Sequence, residues 1–209
     1  ASVLANSRRS GRVPIRVTPQ GHQFAHELMP PRRPFQPTAE MLDFARRAAL
    51  VHLNWLDDPL QVTPSLSAPG GPRLALDYGQ HSPAALLDAT LPAVEVAFFA
   101  LPAQRVAEAE ALASSAGVRG PRLVIVTLGE AGSLAWNDGQ FVRQPALILS
   151  GNPLLDSLGA GDAFIGAFLA AYLHGKGLED CLAGAAHAAA ITCADFGGWP
   201  GAEIDPAVL

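Results

Sequence analysis

Up to about residue 70 the apolar positions are scattered and broken by prolines; beyond it they fall into short, regular runs. Val13–Thr18 and His22–Leu28 flank Pro19-Gln20-Gly21, which predicts a two-stranded β ribbon closed by a turn. Met29–Pro37 carries four prolines. Each lacks an amide donor and is fixed in φ, so the segment predicts an extended connector. Thr38 then caps a helix running to about Ala48, with Glu40 and Asp43 in its first turns and Arg46 and Arg47 in its last, each sign matching the helix dipole. Strand-length apolar runs follow at Ala49–Leu53, Arg73–Asp77, Val94–Phe99 and Leu123–Thr127. Between them Ser82-Pro83 and Pro102 open helices over Pro83–Ala89 and Pro102–Ala116, because proline is tolerated in a first turn. Nearly continuous apolar strands alternating with helices predict an α/β fold with a mainly parallel sheet covered on both faces. Ser133–Trp136 and Gln140–Arg143 flank Asn137-Asp138-Gly139, a hairpin signal, and Ala146–Leu149 predicts one more antiparallel strand. Two helices rich in small residues, Asp162–His174 and Leu178–Asp195, complete the pattern. The division is therefore a ribbon and connector over residues 1–37 and an α/β core over 38–209.

Composition removes several classes of function. Hydrophobic residues make up 49% and charged residues 16% of the 209, far from the composition of a disordered chain. A net charge of −5 provides no basic field for a phosphate backbone, so nucleic acid is not an expected partner. The longest strongly apolar run, Ala163–Leu173, is well short of the ~20 residues a membrane span needs. No membrane partner is expected. Cys181 and Cys193 form no Cys-x-x-Cys pair, which fits a reduced, cytoplasmic setting. Lys176 is the only lysine and is followed by Gly177, so a Gly-x-x-x-x-Gly-Lys-Ser/Thr phosphate loop cannot be built. His22 and His26 have no partner spacing for a metal, and neither a Gly-x-Ser-x-Gly elbow nor a His-Glu-x-x-His pair occurs.

The segment with the clearest chemistry is Asp156-Ser157-Leu158-Gly159-Ala160-Gly161-Asp162-Ala163-Phe164. Gly159, Ala160 and Gly161 are small enough for a ligand to approach the backbone. Their amides lead into a helix whose first N–H groups lack internal partners, a natural anion site. Asp162 adds a carboxylate there, able to orient and accept the proton of an attacking hydroxyl. Turn and cap duties alone would also explain an isolated Gly-x-Gly-Asp. The second glycine and the acid three positions ahead of the loop weigh for a ligand site. Asp77, closing a predicted strand, is placed either for a site or as a turn residue. Trp55, with Asn54, Asp57 and Asp58 after the first core strand, reads as loop packing, with contact to substrate or nucleotide as the alternative. Trp136 reads as the cover of its hairpin.

Asp156–Phe164 closely resembles the C-terminal signature of the ribokinase-like carbohydrate kinases, the PfkB family, usually written Asp-Thr-x-Gly-Ala-Gly-Asp-x-Phe. Val124-Ile125-Val126-Thr127-Leu128-Gly129-Glu130-Ala131-Gly132-Ser133 is similar to that family's nucleotide-contacting strand and loop. Thr127–Trp136 with Gln140-Phe141 and Arg143-Gln144 looks most like the fructoselysine 6-kinase branch. The resemblance implies a three-layer ribokinase-like sandwich with a small β-ribbon lid, and an ATP-dependent phosphotransferase acting on a sugar or sugar-amine hydroxyl with Mg2+. Fructokinase, ribokinase and nucleoside kinase activities, or a non-catalytic nucleotide-binding homologue, are the alternatives. It makes Asp162 the catalytic base and the amides of Gly159, Ala160 and Gly161 the anion hole, with Asp162 and Asp77 facing the substrate. Thr127, Leu128, Gly129, Glu130, Ala131 and Gly132 fall on the nucleotide side, and His187 falls against the base. Asp156, Leu158, Cys193 and Gly198 fall where members hold a monovalent cation, K+. The ribbon over Val13–Leu28 falls where members have a lid or a homodimer contact.

The chain also departs from the family pattern. The glycine-rich substrate segment lies upstream of the ribbon in the family and has no counterpart in Ala1–Gly11, so an N-terminal portion is expected to be missing. The place of the Asn-x-x-Glu motif reads Ala100-Leu101-Pro102-Ala103, a departure shared with the fructoselysine kinases. Asp77-Tyr78-Gly79 replaces the Asp-x-Asn continuation, and Phe196-Gly197-Gly198-Trp199-Pro200 is unusual near the cation position.

Overall fold

The computed structural model describes residues 15–18, 21–24, 36–55, 58–80, 82–149 and 154–198, the first two stretches by their backbone. Residues 29–35 of the connector expected over 29–37, and His26, Asp57, Trp199 and Pro200, lie outside the described residues. Two units separate at Pro34/Phe35. In the first, β1 (Ile15–Thr18) and β2 (Gly21–Phe24) pair antiparallel, with Thr18 opposite Gly21.

The second unit is built on a six-stranded sheet in sequential order: β3 (Leu50–Asn54), β4 (Arg73–Asp77), β5 (Val96–Ala100), β6 (Leu123–Thr127), β7 (Ser133–Asn137) and β8 (Gln140–Gln144). The first four run parallel, β7 pairs antiparallel with β6, and β8 pairs antiparallel with β7. Burial alternates in side but not in degree. Leu74, Leu76, Ala97, Phe99, Val124 and Val126 pack on one face, while Ala75, Val96, Phe98, Leu123 and Ile125 pack on the other. This is why the central strands read as unbroken apolar runs. The first face is covered by α1 (Ala39–Arg46), α2 (Pro59–Leu66), α3 (Ala84–Thr90) and α4 (Ala109–Gly117). The second is covered by α5 (Ala160–Leu173) and α6 (Leu178–Thr192).

Local chemistry explains where elements begin and end. Thr38 caps α1, its Oγ1 accepting from the Met41 N–H at 3.3 Å, and the helix stops at Arg46, short of Ala48. The β7–β8 hairpin turns on Asp138 (φ 48°) and Gly139 (φ 84°), the left-handed pair that a two-residue turn between twisted strands requires. The strand expected at Ala146–Leu149 does not form. Pro145 lacks the N–H that would continue the ladder, and β8 ends at Gln144. The helix expected over Pro102–Ala116 is broken: a 3-10 segment, Ala103–Glu108, precedes α4, and Arg105 leaves helical geometry (φ −104°, ψ 20°). Helix α2, which carries Pro59 and Pro64, lies in a segment given no element above. Pro59 occupies the first turn, where no donor is lost, and Val62, Thr63 and Leu66 bury one face. Helix α5 starts two residues before Asp162, and α6 ends at Thr192 rather than Asp195. No helix among the described residues is long and apolar enough to cross a membrane.

One glycine reverses the usual rule for helices. A Cβ at Gly117, the last residue of α4, would sit inside the buried Trp136 ring, 2.6 Å from Cη2 and closer to Cε3 and Cζ3. Gly→Ala in a helix ordinarily stabilises by up to about 1 kcal/mol. Here Gly117→Ala is expected to destabilise by about 1–3 kcal/mol through overpacking, read as a lower urea midpoint at unchanged slope. An unchanged or raised midpoint would refute this packing.

Candidate functional site

Parallel strands bring their C-terminal ends to one edge, and the polar chemistry collects there. Asn54 ends β3 directly opposite Asp77, which ends β4. The Asn54 Nδ2 donates to Asp77 Oδ2 at 3.2 Å, and the Gly79 N–H donates to Asp77 Oδ1 at 2.9 Å. The Trp55 N–H donates to the Asp77 carbonyl at 2.9 Å. The next residue, Tyr78, turns into the core, stacks on Phe99 at 4.9 Å and shares a 2.8 Å hydrogen bond with Thr90 Oγ1. Burial pushes its phenol up to about 12. With Tyr78 anchored, Asp77 is held at the rim, half-buried. Its carboxyl is raised above the ordinary value, mainly by burial. The Gly79 N–H and the charge of His52 oppose that rise, and the charge of Asp162 adds to it. The two carboxylates singled out from sequence therefore stand within each other's field.

Asp162 owes its place to a turn knotted against the end of α6. Asp156 is buried at 8% exposure. Its Oδ1 accepts the Leu158 N–H at 2.9 Å and its Oδ2 the Gly197 N–H at 3.0 Å. The Cys193 carbonyl takes the N–H groups of Leu155 and Asp156 at 2.9 and 3.4 Å. Gly159 caps α5 at φ 76°, and a Cβ there would lie 2.6 Å from the Gly198 carbonyl oxygen, so both conformation and contact require glycine. Asp156, Leu158, Cys193 and Gly198 are thus brought together. The Asp156 carboxylate and the Cys193 carbonyl accept hydrogen bonds within this turn, and the Cys193 thiol is raised by burial and by the Asp156 charge.

Beyond the turn, the Ala160 N–H donates to the Ser157 carbonyl at 3.2 Å, and the first helical bond runs from the Ala163 N–H to the Gly159 carbonyl at 2.9 Å. Ala160 is therefore engaged, and the Gly161 and Asp162 amides are the ones left without an internal helical acceptor. Asp162 lies exposed in the first turn, and the space beside Gly161 is open. This edge can receive an anion at backbone amides while presenting a carboxylate to a neighbouring hydroxyl. No group of three or more His, Cys, Asp or Glu side chains is placed to hold a metal among the described residues. The exposed Asp162 carboxylate, beside the open space at Gly161, is an oxygen ligand of the kind that holds Mg2+ together with substrate phosphates.

The loop after β6 is more mixed than its sequence suggests. Thr127 Oγ1 donates to the Phe99 carbonyl at 3.3 Å, and Leu128 is buried in the core, so only its backbone can face a ligand. Gly129, Glu130 and Ala131 are exposed. Gly132 (φ 88°) is dictated by packing, since a Cβ there would lie 2.7 Å from the Ala146 nitrogen and closer to the Gln144 carbonyl oxygen. His187 is exposed on α6 and makes no side-chain hydrogen bond or ion pair among the described residues. A cleft of about 660 Å3 opens on the α3–α4 side, floored by Leu87, Phe99, Leu101 and Leu112, but it includes neither Asp77 nor Asp162. Its two charged residues, Arg105 and Glu108, pair with each other at 2.6 Å. The tie from Asn54 to Asp77 was not foreseen, because it depends on the β3–β4 register.

A sign follows for Asp77. Its carboxyl is raised in the fold, so its stability contribution is full below the ordinary carboxylate value and is lost as pH rises through the folded value. Asp77→Asn removes this burden. The melting temperature should rise by about 2 °C near pH 7.5, with the gain vanishing near pH 3. Calorimetry showing a loss of stability at pH 7.5 would contradict this.

Comparisons with known proteins agree with this architecture. The family model "pfkB family carbohydrate kinase" matches residues 59–203. A fructoselysine 6-kinase of Shigella flexneri is 36% identical over 137 residues, covering 65% of this chain and 50% of that protein. A cytidine kinase of Thermococcus kodakarensis is 46% identical over 63 residues, covering 30% of this chain and 22% of that protein. Among solved structures, a microbiome-derived acarbose kinase superposes with a TM-score of 0.75 at 24% identity, over 91% of this chain and 64% of that one, a likeness of fold. The chain spans about half the length of the fructoselysine 6-kinases it matches. With its ribokinase-like α/β fold and more than half its length inside the family model, the chain belongs to the PfkB family of carbohydrate kinases.

Proposed function

We propose that the protein is an ATP-dependent phosphotransferase whose acceptor is a hydroxyl of a sugar or sugar-amine conjugate. The observation that carries this reading is Asp162 in the first turn of α5, beyond a glycine turn and in the field of Asp77. An attacking hydroxyl beside Asp162 gives its proton to that carboxylate as its oxygen forms a bond to the γ-phosphorus. The bond from that phosphorus to the β,γ-bridging oxygen breaks, and ADP leaves with the electron pair. The Gly161 and Asp162 amides lie where charge on the transferring group is stabilised, with Gly159 and Ala160 shaping the turn that aims them. Asp77 accepts a second hydroxyl and fixes the ring, which is catalysis by positioning. Mg2+ bound with the phosphates would neutralise their charge, and the Asp162 carboxylate is the oxygen ligand this edge would offer it. Thr127, the backbone of Leu128, and Gly129–Ala131 serve the nucleotide side, with His187 toward the base. Asp156 supports the turn and, with Leu158, Cys193 and Gly198, is the place to look for a K+ effect. The β1–β2 ribbon is the part suited to a lid or homodimer contact.

The relative at 36% identity supports a sugar-amine acceptor, and the shorter cytidine kinase match supports a nucleoside as the second reading. Ala100-Leu101-Pro102-Ala103 carries no titratable group, which motivates the non-catalytic alternative. An ADP-release assay with fructose, ribose, fructoselysine and nucleosides separates them: turnover with a sugar supports the proposal, turnover with nucleosides alone favours the second reading, and none with any acceptor contradicts both. In the active case Asp162→Asn should lower kcat about 10²–10⁴-fold with ATP affinity within about threefold. Equal losses in binding and turnover would assign Asp162 a structural role.

A further inference from the structure

We propose that Trp55 is the platform on which the acceptor sugar stacks, an inference that rests on the phosphotransferase reading above. Trp55 follows β3 immediately, and its main-chain N–H is fixed by the Asp77 carbonyl at 2.9 Å. Its indole lies along Gly79: a Cβ there would be 2.9 Å from Nε1, 3.2 Å from Cδ1 and 3.8 Å from Cε2. The five-membered ring edge therefore rests on Gly79, whose N–H holds the Asp77 carboxylate. Gly79 also sits at φ +60°, so the position requires glycine both for its backbone and for the indole against it. Trp55 keeps 44% of its surface exposed, whereas Trp136 keeps 9%. Close to half of this tryptophan is therefore exposed at the rim, one residue from Asn54 and in backbone contact with Asp77.

Sugar rings match this combination. One face of a pyranose or furanose is largely C–H and gains by covering an indole, while its hydroxyls need acceptors and donors at the edge. Asp77 supplies the acceptor and Asn54 the amide, giving the mix of aromatic surface and few fixed polar groups that defines small-ligand sites. Asp77 lies in the field of Asp162, so an acceptor held on Trp55 and Asp77 is held near the carboxylate that takes its proton. A hydroxyl that reaches Asp162 from this side belongs to the acceptor. Trp55 is accordingly a specificity-determining residue, with no part in proton transfer.

The test uses Trp55→Ala and Trp55→Phe in the purified protein, with melting temperatures to verify folding. Trp55→Ala should raise KM for the sugar about tenfold or more, Trp55→Phe by less, with kcat and KM for ATP within about threefold. Independently, titrating the sugars without ATP should change tryptophan emission saturably in the wild type, and the change should disappear in Trp55→Phe, which keeps Trp136 and Trp199. An unchanged sugar KM in both variants, or a rise in KM for ATP alone, overturns the proposal. If the wild type binds sugar without turning it over, the phosphotransferase reading fails while the emission signal still decides the role of Trp55. Absence of any saturable signal with every sugar overturns the platform itself.

Discussion

A parallel sheet buried on both faces leaves its chain little freedom in where polar chemistry can appear. Strand interiors must be apolar on nearly every residue, as in Leu74–Leu76, Val96–Phe99 and Leu123–Val126, because each side chain meets either α1–α4 or α5–α6. Polar groups are then tolerated only where strands end, and in parallel strands those ends share an edge. Asn54, Asp77 and Thr127 all occupy last positions of strands. The second face adds α5, whose N-terminus brings Asp162 to the same edge, so one packing constraint assembles groups far apart in the sequence.

Around that edge, rigidity comes from neighbours that are structural. Tyr78 is fully buried between two site residues, and its stacking on Phe99 and bond to Thr90 fix Asp77 and Gly79 on either side. The Asp156 knot does the same for the turn before α5, joining Leu155 and Asp156 to the Cys193 carbonyl through backbone hydrogen bonds and Leu158 and Gly197 to the Asp156 carboxylate. Both devices bury a polar side chain fully satisfied, which specifies one conformation rather than several. A second aromatic series runs through the α5 side: Tyr172 stacks on Phe168 at 6.3 Å, Phe168 meets Phe98 at 5.6 Å, and Phe98 meets His52 at 6.4 Å. Tyr172 also donates to Glu95 beneath Arg73, tying α5 to the opposite end of β4 and β5.

Sheet class, the Asp138-Gly139 hairpin and the glycine turn into α5 were legible in the sequence, because each depends on local pattern or on a few residues with narrow conformational choices. Features set by tertiary contact were not. Helix α2 tolerates Pro64 because Val62 and Leu66 bury its inner face, and Ala146–Leu149 fails as a strand because Pro145 offers no donor. The glycine turn into α5 was legible as a helix start, but that the Ala160 amide donates to the Ser157 carbonyl was not. Gly132 is required by the approach of Gln144 and Ala146, a constraint that local pattern does not carry. Asn54 and Trp55 became interpretable only through the β3–β4 register and the closeness of Gly79.

The central claim is that this edge transfers the γ-phosphoryl group of ATP to a sugar hydroxyl. Phosphorus-31 NMR of the purified protein with MgATP and the sugar that best supports ADP release tests it most directly. The account predicts a phosphomonoester resonance growing in equal proportion to ADP. ADP accompanied only by inorganic phosphate, or no change in the ATP resonances with any sugar, would contradict it.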